Sequence, residues 1–143
     1  MDSLRIEKSY RLPGRELSIE YAALESGLDR FVAENKGDFQ GRNGLAEWKS
    51  RGFSYGFVTL EVHGATYADA LGNNPIYLDG RVIGRATSGG YGHRIQKSLV
   101  LAMINPSNIK IGLKVKIDIL GNKFDASITE ESPYDPENEK LKA

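Results

Sequence analysis

Residues 74–92, NPIYLDGRVIGRATSGGYG, constrain the fold more tightly than any other stretch of the chain. At their centre stand Asp79 and Gly80, a pair able to take the positive φ angles of a two-residue type I′ turn. Ile76 and Leu78 precede the turn, and Val82 and Ile83 follow it, so the flanks read as paired strands. With Val82 assigned to the core, an aspartate there is expected to unfold the domain, because burying an unpaired carboxylate is costly. Gly84 interrupts the second strand, the mark of a bulge or a close backbone approach. Thr87-Ser88-Gly89-Gly90 then predicts a sharp change of direction. A β-hairpin bending into a glycine-rich corner is the kind of piece that closes a small barrel.

The chain from Gly52 onward has the texture this hairpin needs. Residues 57–63 alternate, with Val58, Leu60 and Val62 on one face and Thr59, Glu61 and His63 on the other. Residues 65–73 read as a loop or a single helical turn. Residues 98–104, SLVLAMI, are nearly continuous in apolar side chains and fit a strand covered on both sides, ended by Asn105-Pro106. Residues 114–120 alternate again, with Val115, Ile117 and Ile119 inward, and Gly121-Asn122 turns the chain back into Phe124, Ala126 and Ile128. Short strands at regular spacing predict a mainly β fold: a small antiparallel, Greek-key-like β-barrel. The tail after Ser132 reads as irregular, with an exposed tip.

Ahead of Gly52 the pattern is mixed, so a boundary is placed there: a short α+β segment over residues 1–51 and the barrel over residues 52–143. Leu4-Arg5-Ile6-Glu7 alternates as a half-buried strand would. Pro13-Gly14 marks a turn, and residues 20–28 stay ambiguous because Gly27 weakens a helix. Three glycines and two asparagines make residues 35–44 a loop, with Lys36, Asp38 and Arg42 as its charged members. Residues 44–51 predict a short helix that buries Leu45 and Trp48 as core anchors and stops at Gly52.

At 143 residues the chain suits one domain, able to bury roughly two-thirds of its unfolded surface. Its 19 basic and 19 acidic residues cancel, and each half cancels separately, which argues against nucleic acid or anionic lipid as a partner. The absence of cysteine excludes disulfides, thiolate catalysis and cysteine-held zinc. Two histidines, His63 and His93, cannot build a tetrahedral metal site without carboxylates. No apolar run reaches membrane-spanning length and the amino terminus lacks a signal-peptide core, so a cytoplasmic or organelle-matrix location is expected. Catalytic motifs such as G-x-S-x-G, H-E-x-x-H or a P-loop do not occur. Residues 87–90 offer a nest of N–H groups to a phosphate, but a tight structural turn is the simpler reading. His93 reads as a loop histidine with one local hydrogen bond rather than a base. Glu7 either faces solvent or answers a donor; periodicity alone turns it outward.

Taken in order, these segments resemble the C-terminal part of the glycine-cleavage T-protein (aminomethyltransferase) family, and more closely its branch attached to dimethylglycine and sarcosine dehydrogenases. Leu4-Arg5-Ile6-Glu7 is similar to the family's L-R-L-E segment, and Gly14-Arg15-Glu16-Leu17 to the turn that follows. Leu24-Glu25-Ser26-Gly27-Leu28 is similar to its E-x-G-L stretch. Lys36-Gly37-Asp38-Phe39-Gln40-Gly41-Arg42 matches K-G-D-F-I-G-R, with Gln40 in place of isoleucine. Pro75, Gly80, Gly84, Thr87-Ser88-Gly89 and Tyr91-Gly92 follow the barrel signature, and Ser132-Pro133-Tyr134-Asp135-Pro136 the closing P-x-Y-D-P.

The resemblance implies a tetrahydrofolate-binding transferase of one-carbon metabolism. It assigns Glu7 to the pterin ring, where a carboxylate accepts two N–H bonds as a fork. It assigns Lys36 to folate's glutamate tail as a point charge where the T-proteins proper carry arginine. The family's catalytic aspartate lies in an N-terminal region this chain lacks, so no catalytic residue is expected here and the isolated chain is expected to be inactive. Its partner would be a folate-binding N-terminal half or a dehydrogenase domain. The alternatives are a non-catalytic barrel serving assembly or interaction, and a folate-dependent demethylase of a methylated sulfur or nitrogen compound.

Overall fold

The computed structural model describes residues 2–65 and 67–143. Its strands are β1 (Gly56–His63), β2 (Pro75–Leu78), β3 (Arg81–Gly92), β4 (Lys97–Ile104), β5 (Lys114–Ile119) and β6 (Asn122–Thr129). They close into one barrel in the order β1-β4-β3-β2-β5-β6, with every neighbouring pair antiparallel. Strands β2, β3 and β4 form a meander, and β1 lies beside β4 at the end of a long connection, which is a Greek key. Closure leaves no unpaired sheet edge. The expected fold class is the one observed.

Period-two alternation fills the interior. Val58, Leu60 and Val62 of β1, Val115, Ile117 and Ile119 of β5, and Ala126 and Ile128 of β6 all point inward, as the sequence pattern requires. From β4 come Val100, Ala102 and Ile104. The alternate β4 residues Leu99 and Leu101 face outward yet are equally buried, because the helix α1 (Asp2–Glu7) lays Ile6 across them. That cover is why residues 98–104 read as a continuous apolar run. Burying each such side chain stabilises the fold by about 1.5–3 kcal/mol.

The hairpin forms where expected. Asp79 and Gly80 take φ of 48° and 78°, and Leu78 pairs with Arg81. A bulge sets Ile76 opposite Gly84 and Tyr77 opposite Val82. A Cβ on Gly84 would sit 2.3 Å from the Met103 carbonyl oxygen, so this glycine permits a close backbone approach. Val82, however, is 62% exposed and not a core residue. The bulge is the reason: it leaves Val82 on the outer surface and packs Ile83 against the core. Residues 87–90 are not a corner either. They continue β3 with a second bulge between Ala86 and Ser88, so the change of direction is absorbed within one bent strand.

Three further expectations are corrected. Residues 4–7 belong to α1, not to a strand; four alternating residues cannot separate the two periods, and Ile6 with Glu7 is buried while Leu4 is exposed. The helix α2 (Arg42–Arg51) exists but buries no residue fully; Trp48 is half-buried beneath the Arg51 guanidinium, 3.9 Å from its ring centre, and anchors no core. The two-residue turn between β5 and β6 is Leu120-Gly121, both with positive φ, one residue earlier than expected. The loop expected over residues 35–44 ends at Gly41, because α2 starts at Arg42, two residues earlier than expected; the turn at Pro13-Gly14 is as expected, and within the connection 65–73 Thr66 lies outside the described residues. The tail returns to α1: Tyr134 N–H donates to the Glu7 carbonyl and Ser132 N–H to Ser9 Oγ, before a single-turn helix α3 (Glu139–Lys142).

Candidate functional site

Three glutamates at nine-residue intervals, Glu7, Glu16 and Glu25, are buried to 2% exposure or less, and each ties residues 2–51 to other parts of the chain or to themselves. Glu7 Oε1 accepts N–H bonds from Arg94 (2.7 Å) and Ile95 (3.3 Å) in the connection between β3 and β4. Glu16 Oε1 accepts from the Thr87 hydroxyl (2.6 Å) and the Ser88 hydroxyl (2.5 Å), while its Oε2 accepts from Leu12 N–H (2.9 Å). Glu25 Oε1 accepts from Ser54 and Tyr55 N–H at 2.9 and 3.1 Å, and its Oε2 from Ala22 N–H at 2.9 Å. A buried carboxylate is tolerable only when its oxygens are answered by donors in this way. Only Glu7 stood out in the sequence. Glu16 and Glu25 fall in turns with no periodicity, and their regular spacing and their places in the family-like motifs at residues 14–17 and 24–28 were the available signs.

Above Glu16 a cavity of about 580 Å³ opens between residues 14–21, residues 70–73 and the bent middle of β3. Ser88 forms its floor: having given its proton to Glu16, its oxygen accepts from Arg5 Nη2 (2.9 Å) and, at a long 3.4 Å, from Arg15 Nη1. Arg5 also pairs with Asp2 (2.7 Å) and lies 3.6 Å from Glu16. The Asp2 carboxyl is held below its ordinary value, chiefly by that hydrogen bond from Arg5 and then by its charge. Arg85, which also lines the cavity, donates from Nε and Nη2 to the Tyr21 hydroxyl oxygen (3.1 and 2.6 Å) and pairs with Glu20. Its pKa is raised, first by the Tyr21 hydrogen bond, so the guanidinium stays charged throughout.

Neither residue assigned by resemblance lines this cavity. Lys36 stands on the exposed loop and has no ion-pair partner among the described residues. Glu7 faces the other end of β3. A pterin's amino-pyrimidine edge presents two adjacent N–H groups and needs both oxygens of a carboxylate. Glu7 has already committed Oε1 to two backbone amides and is 1% exposed, so the residues as folded do not fit that fork. The hydroxyls of Thr87 and Ser88 are turned to Glu16 and the amides around them lie in a strand, so no phosphate nest forms. The His93 ring stacks edge-on against Tyr91 at 5.1 Å, in place of the expected local hydrogen bond. Among the described residues no group of three or more His, Asp or Glu side chains is placed to hold a metal ion.

Comparison with known proteins explains this architecture. Residues 56–135 match the family model described as the glycine cleavage T-protein C-terminal barrel domain. The chain is 36% identical over 132 residues to mitochondrial dimethylglycine dehydrogenase of Rattus norvegicus, covering 92% of itself but 15% of that protein. It is 32% identical over 123 residues to aminomethyltransferase of Moorella thermoacetica, covering 84% of itself and 32% of the relative. The crystal structure of glycine cleavage system aminomethyltransferase T from Bartonella henselae superposes with a TM-score of 0.84 at 22% identity, over 94% of this chain and 38% of that one. The last likeness speaks to the fold. The chain thus spans a third or less of these two curated relatives. With the family model falling on the closed barrel and its strands, the chain belongs to the glycine cleavage T-protein family and carries its C-terminal barrel domain.

Proposed function

We propose that this chain works as the barrel end of a tetrahydrofolate-dependent one-carbon transferase of the aminomethyltransferase or dimethylglycine dehydrogenase kind, together with an N-terminal folate-binding part. The observation that carries the reading is that similarity to dimethylglycine dehydrogenase takes in 92% of the chain and so extends beyond the barrel into the segment holding Glu16 and Glu25. In this reading residues 1–51 are the last segment of the folate domain and residues 52–143 the barrel. Folate supplies the one-carbon acceptor; this chain's residues supply walls. Lys36, exposed and unpaired among the described residues, attracts the carboxylates of folate's tail as a point charge. None of this chain's side chains is assigned a catalytic step. Among the described residues no helix is long and apolar enough to cross a membrane, and an aqueous compartment such as the cytoplasm or the mitochondrial matrix suits the reading.

Titration calorimetry tests it. The chain is titrated with tetrahydrofolate alone and after mixing with the N-terminal part of the Moorella aminomethyltransferase that precedes the matched segment. Millimolar or no binding alone, with micromolar binding in the mixture that Lys36→Ala weakens, is the expected result. A mixture that binds no better than its N-terminal member alone overturns it. That second outcome favours a barrel serving assembly without folate, a reading to which the committed Oε1 of Glu7 lends weight.

A further inference from the structure

We propose that the cavity between residues 14–21 and β3 is a binding site for an organic oxyanion, a carboxylate or phosphate on a small carbon body, held by Arg15 and Arg85. The inference is independent of the folate reading, since neither Glu7 nor Lys36 lines this cavity. It rests on which donors are already used. Arg5 is spent on Asp2, the Tyr10 carbonyl and Ser88. The single hydroxyl proton of Thr87 is shared between Glu16 and the Leu101 carbonyl and that of Ser88 goes to Glu16, so neither has one for a ligand. Arg85 uses Nε and Nη2, leaving Nη1 without a partner among the described residues. Among the described residues Arg15 makes only the 3.4 Å contact to Ser88 and no ion pair.

Both carboxylates on the wall, Asp2 and Glu20, by contrast already face an arginine. The formal charges of Asp2, Glu20, Arg15 and Arg85 cancel, so it is this unequal pairing that selects an anion over a cation. Two guanidinium-bearing residues lining one cavity suit the flat fork of a carboxylate or phosphate. At about 580 Å³ the space suits a small organic ligand rather than a bare ion. Ile19 and Leu71, 103% and 64% exposed on the rim, offer apolar contact to its carbon body. The Arg85–Glu20 pair is exposed enough to open, because a surface ion pair contributes little.

The test is NMR titration of the 143-residue chain with succinate and with glycerol phosphate, against sodium chloride at matched ionic strength. Saturable shifts in residues 14–21 and β3 with succinate assign a carboxylate, and with glycerol phosphate a phosphate; either supports the site. Arg15→Gln, on an exposed residue, is expected to weaken binding at least tenfold. Glu20→Gln is expected to tighten it several-fold by releasing Arg85 Nη2, a gain that a purely structural role would not produce. Arg81→Gln, an exposed arginine elsewhere on β3, should leave the affinity unchanged. Shifts no larger than those with chloride, or an affinity indifferent to both Arg15→Gln and Glu20→Gln, overturn the proposal.

Discussion

Glu25 accepts three backbone N–H groups, from Ala22, Ser54 and Tyr55, and so joins the turn at residue 22 to the start of the barrel. Replacing it with alanine leaves those donors without an acceptor, each costing about 1–3 kcal/mol where water cannot reach. Glu25→Ala is expected to lower stability by ~3–5 kcal/mol in urea unfolding, and Glu25→Gln, which keeps one acceptor oxygen, by clearly less. Asp125 is a milder case. Its carboxyl is held below the ordinary range by the hydrogen bond from Lys116 and then by that charge. A carboxylate depressed in the folded state adds stability above its unfolded pKa, and that contribution is lost as pH falls through the folded value. Lys116→Met is therefore expected to raise the Asp125 pKa toward the ordinary carboxylate value in an NMR titration, with stability at neutral pH hardly moved. Little of this was legible in the sequence. A carboxylate meeting amides from residues thirty or ninety positions away leaves no local pattern, and periodicity turned Glu7 outward although it is buried.

Among the elements, the strands were the readable part, because a closed sheet forces alternation and alternation survives in the residue types. Residues 98–104 announced their two covered faces, and Asp79-Gly80 its turn. Gly84 marked the β2–β3 bulge but not its outcome: Val82 and Ile83 are chemically alike, and only the register between β2 and β3 decides which one meets the core. Val82→Asp is accordingly expected to change stability by less than about 0.5 kcal/mol. Ile6→Ala, which strips the cover from Leu99 and Leu101, is expected to cost about 2–5 kcal/mol. Denaturant melts of the two variants side by side distinguish the outer rim of the hairpin from the underside of α1; equal midpoints would refute the assignment. Helix α2 escaped in the other direction. Its Trp48 reads as an anchor by type, yet the helix buries no residue fully.

For the molecule as a whole, packing divides sharply between the barrel and the loop-rich stretch from Arg30 to Arg51, where no residue is fully buried. Native-state hydrogen exchange is expected to show α2 opening orders of magnitude faster than β4, since exposed helices with few apolar contacts lie at the low-stability end. Protection of α2 comparable to β4 in the isolated chain would contradict the described packing. The family and the barrel were both recoverable from ordered short motifs. The division of labour between Arg15, Arg85 and the buried carboxylates was not, because it depends on how a strand bends.

The placement of the buried glutamates also sets a schedule for synthesis. Glu7 waits for Arg94 and Ile95, and Glu16 for Thr87 and Ser88, so both acids are made before their docking points have been translated. Strand β1 in turn needs β6, ending at Thr129, before the cylinder can seal. The chain must be made through Thr129 before residues 2–51 find their seats, so barrel and buried acids assemble late and nearly all at once.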